Sequence, residues 1–342
     1  MKAARIHQSA GIESYVCEEA PDPEPGPNEV LVRVRACALN HLEAWAAKMP
    51  PGRSFPEPRL LGSDVSGVVE AVGPGVRGIE PGAEVLLHPG VSCGQCEACL
   101  SGEDNNCPQY RLIGQGRPGG LAELVVVPPE NVMPKPAGLS FEEAAALPLT
   151  LTTAWHRLVT RARIRHGETV LVNAAGSGVG VFAVQVAKLW DARVIASAGS
   201  DDKLQRAREL GADDTVNYTS SDLAEEARRL TGGRGVDIVV EHVGGDLFRA
   251  SVGALARNGR LVTCGATAGD DGRFHISRFF LSQQSILGSF MGTKAELLRA
   301  MRFVESGRIR PVVDRVYPLS DIRQAVQRLL ERAQFGKVVV TP

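Results

Sequence analysis

The feature that most narrows the fold of this sequence is a glycine-rich turn between an apolar run and a helical one. Thr169-Val-Leu-Val172 is followed by Asn173-Ala-Ala-Gly-Ser-Gly-Val-Gly180 and then by a helical pattern over Val181–Leu189. Glycines at such a junction let backbone N–H groups and the positive end of a helix converge on one point, which suits a pyrophosphate. Further apolar runs follow at Arg193–Ser197, Thr215–Tyr218, Val236–Val240, Arg260–Cys264 and Ser285–Phe290, with helical patterns between them. Strands alternating with helices are joined by right-handed crossovers into a parallel sheet covered on both faces. The middle of the chain is therefore expected to be a doubly wound α/β domain of the Rossmann type that binds a dinucleotide. Ala175, Gly176, Ser177, Gly178, Val179 and Gly180 are the candidate phosphate contacts, and Gly265 and Ser289, near the ends of later strands, are further cofactor candidates.

The first third has a different texture. Short β-type runs at Glu29–Arg35, Val65–Val72, Ala83–Leu87 and Leu121–Val127 are punctuated by Pro and Gly, the pattern of a β-barrel-like module. From Ser140 the chain reads as helical through Val159, with Ser140 as N-cap and Glu143 closing a capping box. The tail from Lys294 carries two amphipathic helical patterns around Pro311 and ends in the strand Lys337–Val340. Its simplest route is back to the first domain. The expected division is 1–127 with 294–342, and 128–293, in keeping with about two domains for 342 residues. No internal repeat or low-complexity segment is visible.

Of seven cysteines, Cys93, Cys96, Cys99 and Cys107 crowd into one polar, glycine-containing loop. Four thiolates at that spacing suit tetrahedral zinc, and with every position filled by sulfur the metal is structural. Its removal should unfold the lobe, since binding energy is folding energy. Cys17, Cys37 and Cys264 are read as buried small hydrophobes.

The strand after the glycine turn ends in Ala198-Gly-Ser200, where an NAD enzyme normally places a carboxylate on the ribose hydroxyls. Without that carboxylate a 2′-phosphate is not repelled, and Ser200 with Lys203 can bind it, which favours NADP. Charge is balanced, 38 Lys+Arg against 39 Asp+Glu, so electrostatic attraction to nucleic acid or anionic membrane is not expected and a small-molecule partner is. Met1–His7 lacks a secretory h-region and no stretch is apolar enough to span a bilayer, so a cytoplasmic protein is expected.

The cysteine loop followed by the glycine turn resembles the medium-chain dehydrogenase/reductase family. So do Pro23–Glu29, Gly62-Ser-Asp-Val-Ser-Gly-Val-Val69, Glu142–Leu149, Lys203–Ala212 and Gly259–Gly265. The resemblance implies a GroES-like barrel with a zinc lobe and a Rossmann cofactor domain. Members with a catalytic zinc carry a Cys, a Gly-His-Glu segment and a third ligand near the cofactor domain. In register, Asn40 replaces the Cys, Ser63 and Asp64 replace His and Glu, and Leu149-Thr150 offers no Cys; Cys37 stands three residues before Asn40. A rearranged site using His41, Glu43, Asp64 or His88 is the alternative. The chain looks like the quinone oxidoreductase branch, where an Asn lies by the nicotinamide, implying that role for Asn40. That branch surrounds the 2′-phosphate with residues matched here by Lys203, Tyr218 and Arg332. Its typical members lack the zinc lobe, which this chain has.

Alcohol oxidation needs a stabilised alkoxide, a task zinc performs as a Lewis acid. Hydride addition to an activated C=C or a quinone spreads charge onto a conjugated oxygen that hydrogen-bond donors can hold. The expected activity is therefore NADPH-dependent reduction of such a substrate without catalytic zinc. His41 or water is the candidate donor, and Asn40, Glu43, Trp45 and Thr153 shape the cleft. The alternatives are an alcohol or aldehyde dehydrogenase and a non-enzymatic NADPH sensor. The last sheet strand, Ser285–Phe290, is an edge, so pairing with a second copy in a homodimer or dimer of dimers is expected.

Overall fold

The alternation that begins at Thr169 becomes a six-stranded sheet in the computed structural model, which describes residues 1–49, 52 and 54–342. The strand order is Asp214–Asn217, Arg193–Ala198, Thr169–Val172, Val236–Glu241, Leu255–Thr263 and Ser285–Gly288, and every pairing is parallel. The chain thus steps outward from Thr169–Val172 first one way and then the other, the doubly wound arrangement. Leu171, Ile195, Val239 and Leu261 are fully buried between sheet and helices. The strand Leu255–Thr263 starts earlier than the apolar run at Arg260, because Asn258, at φ 61, and Gly259 break the apolar pattern without ending the strand. Ser285–Gly288 stops short of Phe290.

The helix Gly178–Lys188 buries every residue from Gly180 to Ala187. A Cβ on Gly180 would lie 2.4 Å from the carbonyl oxygen of Ala174 and 2.8 Å from the carbonyl carbon of Ala175. The helix can approach the end of the strand this closely only because residue 180 has no side chain.

Residues Thr150–Gly292 with Ser306–Arg310 form this second unit; Met1–Leu149, Thr293–Glu305 and Pro311–Pro342 form the first. In the first unit the principal sheet runs Val132–Pro134, Glu84–Leu87, Asp64–Val72, Val30–Ala38, Lys337–Thr341, Val313–Pro318, with Leu124–Val127 also paired to Val30–Ala38. Tyr15–Glu19, Lys2–Gln8 and Ser54–Leu60 form a smaller sheet. The unit extends to Leu149 because Val132–Pro134 pairs with Glu84–Leu87 and Ala145 packs with Ala36, Ala38 and Val339. That helix, Phe141–Ala145, starts with a reciprocal cap: Glu143 N–H donates to Ser140 Oγ at 3.2 Å and Ser140 N–H to Glu143 Oε2 at 2.9 Å. The tail strand Lys337–Thr341 lies antiparallel to Val30–Ala38, and Leu39 N–H donates to Val338 O at 2.8 Å.

The three isolated cysteines differ from one another. Cys37 is buried, Cys264 is half-buried, and Cys17 is exposed. The expectation of burial fails at Cys17 because Tyr15–Glu19 is an edge strand with most of its residues toward solvent.

Gly180→Ala should lower stability by about 1–3 kcal/mol, since the added methyl meets backbone rather than a movable side chain. Denaturant titration should show a lower midpoint at unchanged slope; an unchanged midpoint would refute the close approach.

Candidate functional site

Three strands bring the polar centre of the first unit together. Asn40 follows Val30–Ala38, Asp64 opens Asp64–Val72, and Lys337 opens the tail strand paired beside them. Lys337 Nζ donates to Asn40 Oδ1 at 2.6 Å and to Asp64 Oδ2 at 2.8 Å, and Asn40 Nδ2 donates to Asp64 Oδ2 at 2.9 Å. Asp64 Oδ1 accepts the N–H of Leu149 at 2.7 Å. Both charged side chains are buried, 2% exposed for Lys337 and 0% for Asp64. A lysine can only donate and an ionised carboxylate only accept, so the Asn40 amide has one orientation, oxygen toward Lys337 and nitrogen toward Asp64. The second N–H of Asn40 has no partner among the described residues.

Asn40 also opens the helix His41–Ala47, where its backbone N–H donates to Glu43 Oε2 at 2.6 Å. The other Glu43 oxygen accepts from the N–H of Gly62 at 3.2 Å. Glu43 is thus a buried clip between this helix and the Gly62 loop, and burial pushes its carboxyl up to about 7. His41 packs edge-on against Trp45, ring centroids 6.3 Å apart. Burial, reinforced by the charges of Lys48, Arg332 and Lys337, lowers it to about 4. A neutral imidazole results at physiological pH, able to share a hydrogen bond but not to act as an imidazolium acid.

His88 does not join this cluster. It is fully buried, its Nδ1 lies 3.1 Å from the backbone N–H and carbonyl of Gly90, and burial drives its pKa to about 3. Ser63 is buried with no partner for its hydroxyl among the described residues. Among the described residues, the group of His, Cys, Asp and Glu side chains with metal-binding proximity is Cys93, Cys96, Cys99 and Cys107, whose ligand atoms lie within 4.8 Å of one another. Sulfur separations of 3.5 Å for Cys96–Cys99 and 4.0 Å for Cys93–Cys99 bracket the roughly 3.8 Å that tetrahedral geometry gives for zinc–sulfur bonds of about 2.3 Å. The N–H groups of Cys93 and Gln109 both point at Cys107 Sγ, at 3.4 Å, as suits a thiolate.

In the second unit the glycine turn has the shape of an anion cradle. Ala175 N–H is bonded to Ser197 O, Ser177 N–H to Ala174 O, and Gly180 N–H to Ser177 Oγ at 2.9 Å. Gly178 and Val179 open the helix, and their N–H groups have no acceptor among the described residues. Gly265 lies against the backbone of His242, and the Ser289 hydroxyl is buried without a partner among the described residues. At the next strand end, Ser200 is the N-cap of Asp201–Glu209 and Lys203 lies in its first turn. Tyr218 closes over Gly199, where a Cβ would sit 3.1 Å from the phenol oxygen. Asp201 accepts the Asn217 amide at 2.8 Å. Thr153 is buried on Pro148–Trp155 in the second unit, whereas Arg332 is exposed in the first, just past Ile322–Leu330.

Sequence reasoning missed Lys337. A lysine at the mouth of an apolar strand reads as a solvated end, and the one hint was that the run it opens is too apolar to be an exposed edge.

Residues 26–137 match the alcohol dehydrogenase GroES-like domain and residues 178–306 match zinc-binding dehydrogenase. A crotonyl-CoA reductase of Streptomyces avermitilis is 33% identical over 368 residues, spanning 95% of this chain and 82% of its own. A solved NAD-dependent alcohol dehydrogenase has a TM-score of 0.96 at 51% identity over 100% of both chains. A crotonyl-CoA carboxylase/reductase solved in complex with NADP has a TM-score of 0.92 at 25% identity, covering 100% of this chain and 94% of that one. The chain belongs to the zinc-type, alcohol dehydrogenase-like medium-chain dehydrogenase/reductase family, in which quinone oxidoreductase-like proteins are also its relatives. It is an NAD(P)-dependent oxidoreductase built from a GroES-like unit and a Rossmann unit.

The two perturbed neighbours act oppositely on stability. Glu43, raised from 4.5 to about 7, binds its proton more tightly when folded, so its contribution falls as pH rises across that window. His41, lowered from 6.5 to about 4, binds its proton more tightly when unfolded, so its contribution grows as pH rises from about 4 to 6.5. Relative to the wild type, Glu43→Gln should therefore gain stability, and His41→Asn lose it, as pH rises from 4.5 to 6.5. Denaturation midpoints at these pH values test this, and three parallel profiles would overturn the assignment.

Proposed function

We propose that this protein is an NADPH-dependent reductase that delivers hydride to an activated C=C or a quinone-type carbonyl without a catalytic zinc. The observation that carries the reading is the Lys337–Asp64–Asn40 cluster. Asp64, which in register replaces the Glu of the Gly-His-Glu segment of zinc-using members, is neutralised by a buried ammonium, and a divalent cation there would have to displace it. What the cluster offers a substrate is the second amide N–H of Asn40, fixed in direction by its two neighbours. Such a donor can hold charge developing on a conjugated oxygen, where an alkoxide would call for a stronger electrophile. A bound dinucleotide supplies the hydride. With His41 neutral, the proton that completes reduction comes from water. Glu43 anchors the helix that Asn40 opens.

NADPH is preferred in this reading because Ser200, Lys203 and Tyr218 stand at the strand end where no ribose carboxylate is found, and Asp201 is engaged by Asn217. The NADP complex of the crotonyl-CoA carboxylase/reductase supports it. The four-cysteine loop is assigned one structural zinc per chain, and metal-ligating thiols suit the reducing cytosol. No helix among the described residues is long and apolar enough to cross a membrane. A second reading, an NAD-dependent alcohol dehydrogenase, is favoured by the 51% identity to a protein of that name.

Nicotinamide oxidation followed across enones, enoyl thioesters, quinones and aldehydes separates the two. The proposal expects saturated products, NADPH over NADH, and one zinc per chain; alcohol as product, equal use of NADH, or two tightly held zincs would favour the second reading. Lys203→Ala should raise the KM for NADPH by the equivalent of about 1–3 kcal/mol and leave that for NADH nearly unchanged.

We also propose a dimer through Ser285–Gly288. It is the edge of the parallel sheet, and Ile276, Phe280, Leu281 and Phe290, near it in sequence, are 73%, 61%, 62% and 58% exposed. An apolar edge invites pairing with its own copy. Leu287→Pro should release monomers or aggregate; a wild-type protein that sediments as a monomer at micromolar concentration would exclude the dimer.

A further inference from the structure

We infer that Arg157 is a positioning residue that fixes the tautomer of His242 and so turns the hydroxyl proton of Ser177 outward, as a donor to a phosphate oxygen of the dinucleotide. The inference rests on the reading of the glycine turn as the dinucleotide site.

Arg157 follows the helix Pro148–Trp155, where the backbone widens into a π turn over His156–Arg161 and Ala162 N–H reaches back to Arg157 O at 2.8 Å. Such widened turns recur at functional sites. The side chain is 0% exposed. Its Nη2 donates to the carbonyls of Glu241 and Val262, the latter at 2.7 Å, at the carboxyl ends of two adjacent parallel strands. The Glu241 carboxylate is also buried and folds the following turn around itself, accepting the N–H groups of Val243 at 2.7 Å and Gly244 at 2.9 Å. A guanidinium taken out of water is costly to keep, and two carbonyls could be satisfied by a neutral donor. Its third contact, with His242, gives it a further use.

Arg157 Nη1 lies 3.4 Å from His242 Nδ1. The guanidinium has only donors, so Nδ1 accepts and the neutral ring carries its hydrogen on Nε2. A protonated ring would set two donors face to face. Nε2 is 2.9 Å from Ser177 Oγ and therefore donates to it. Ser177 Oγ already accepts the N–H of Gly180 at 2.9 Å. With both lone pairs used, the Ser177 O–H must donate elsewhere, and it has no acceptor among the described residues. The anion cradle lies at this residue. In the opposite tautomer Nε2 would draw the Ser177 proton inward, and the hydroxyl would face a phosphate with a lone pair. Arg157 thus sets the sign of one dipole at the turn.

Long-range 1H–15N spectra of histidine-labelled protein without dinucleotide, assigned against His242→Gln, read the tautomer directly. The Nε2–H form is expected; the Nδ1–H form or a protonated ring overturns the inference. Arg157→Met should populate the Nδ1–H form and weaken NADPH binding about ten- to a hundredfold in a fluorescence titration. In a Ser177→Ala background the same change should cost no further affinity, whereas additive losses would mean that Arg157 acts on the fold alone. If Arg157→Met does not fold, Arg157→Lys, which keeps a cation for the two carbonyls, serves in the same cycle. A wild-type protein with the Nε2–H form that binds neither NADPH nor NADH would overturn the dinucleotide reading; NADPH binding with the other tautomer would overturn the role of Arg157 alone.

Discussion

The buried ammonium of Lys337 is the interaction on which the first unit's polar centre depends. Asp64 and Asn40, 24 residues apart, are bonded to each other and both to it, and it arrives from 273 residues beyond Asp64. Removing one partner of a buried ion pair strands the other and typically costs about 3–5 kcal/mol, more than the pair contributes over a well-packed apolar replacement. Such a cluster is therefore better explained by what it orients than by what it stabilises. What it orients is an amide. An asparagine side chain is ambiguous, donor at one end and acceptor at the other, and here its direction is dictated by one neighbour that can only donate and another that accepts.

The same logic recurs in the second unit. Imidazole is ambiguous as the amide is, and Arg157 resolves it as Lys337 resolves Asn40. In both places a group from the sequence-remote part of its own unit, a tail strand in one and a helix in the other, supplies a cation that never exchanges its role. Around these fixed points the rest of each unit is conventional: apolar strands, capped helices and a glycine where helix and strand nearly touch.

Much of this architecture was legible from local pattern. The glycine turn, the parallel sheet, the capping box at Ser140 and the clustering of four cysteines each depend on residues close in sequence. Asn40 and Asp64 could be picked out by their register with a family, but not the residue that joins them, because nothing within a dozen positions of Lys337 marks it as other than a strand end. Arg157 was hidden similarly: on a helix, one arginine among Arg161, Arg163 and Arg165 reads as solvated, and only the packed structure singles it out as fully buried. The expectation that an isolated cysteine is buried failed at Cys17, whose strand lies at an edge. What sequence withheld was tertiary: which polar side chains end in the interior, and beside what.

The insertion of the tail strand Lys337–Thr341 next to Val30–Ala38 has a consequence for biosynthesis. On the ribosome the second unit, continuous but for a short return, can close before the first. The first must wait with a gap in its principal sheet and an uncompensated carboxylate at Asp64 until these late residues leave the exit tunnel. The polar centre of the first unit is then completed in a single late event, and a nascent chain stalled before Lys337 would hold a finished second unit and an unfinished first.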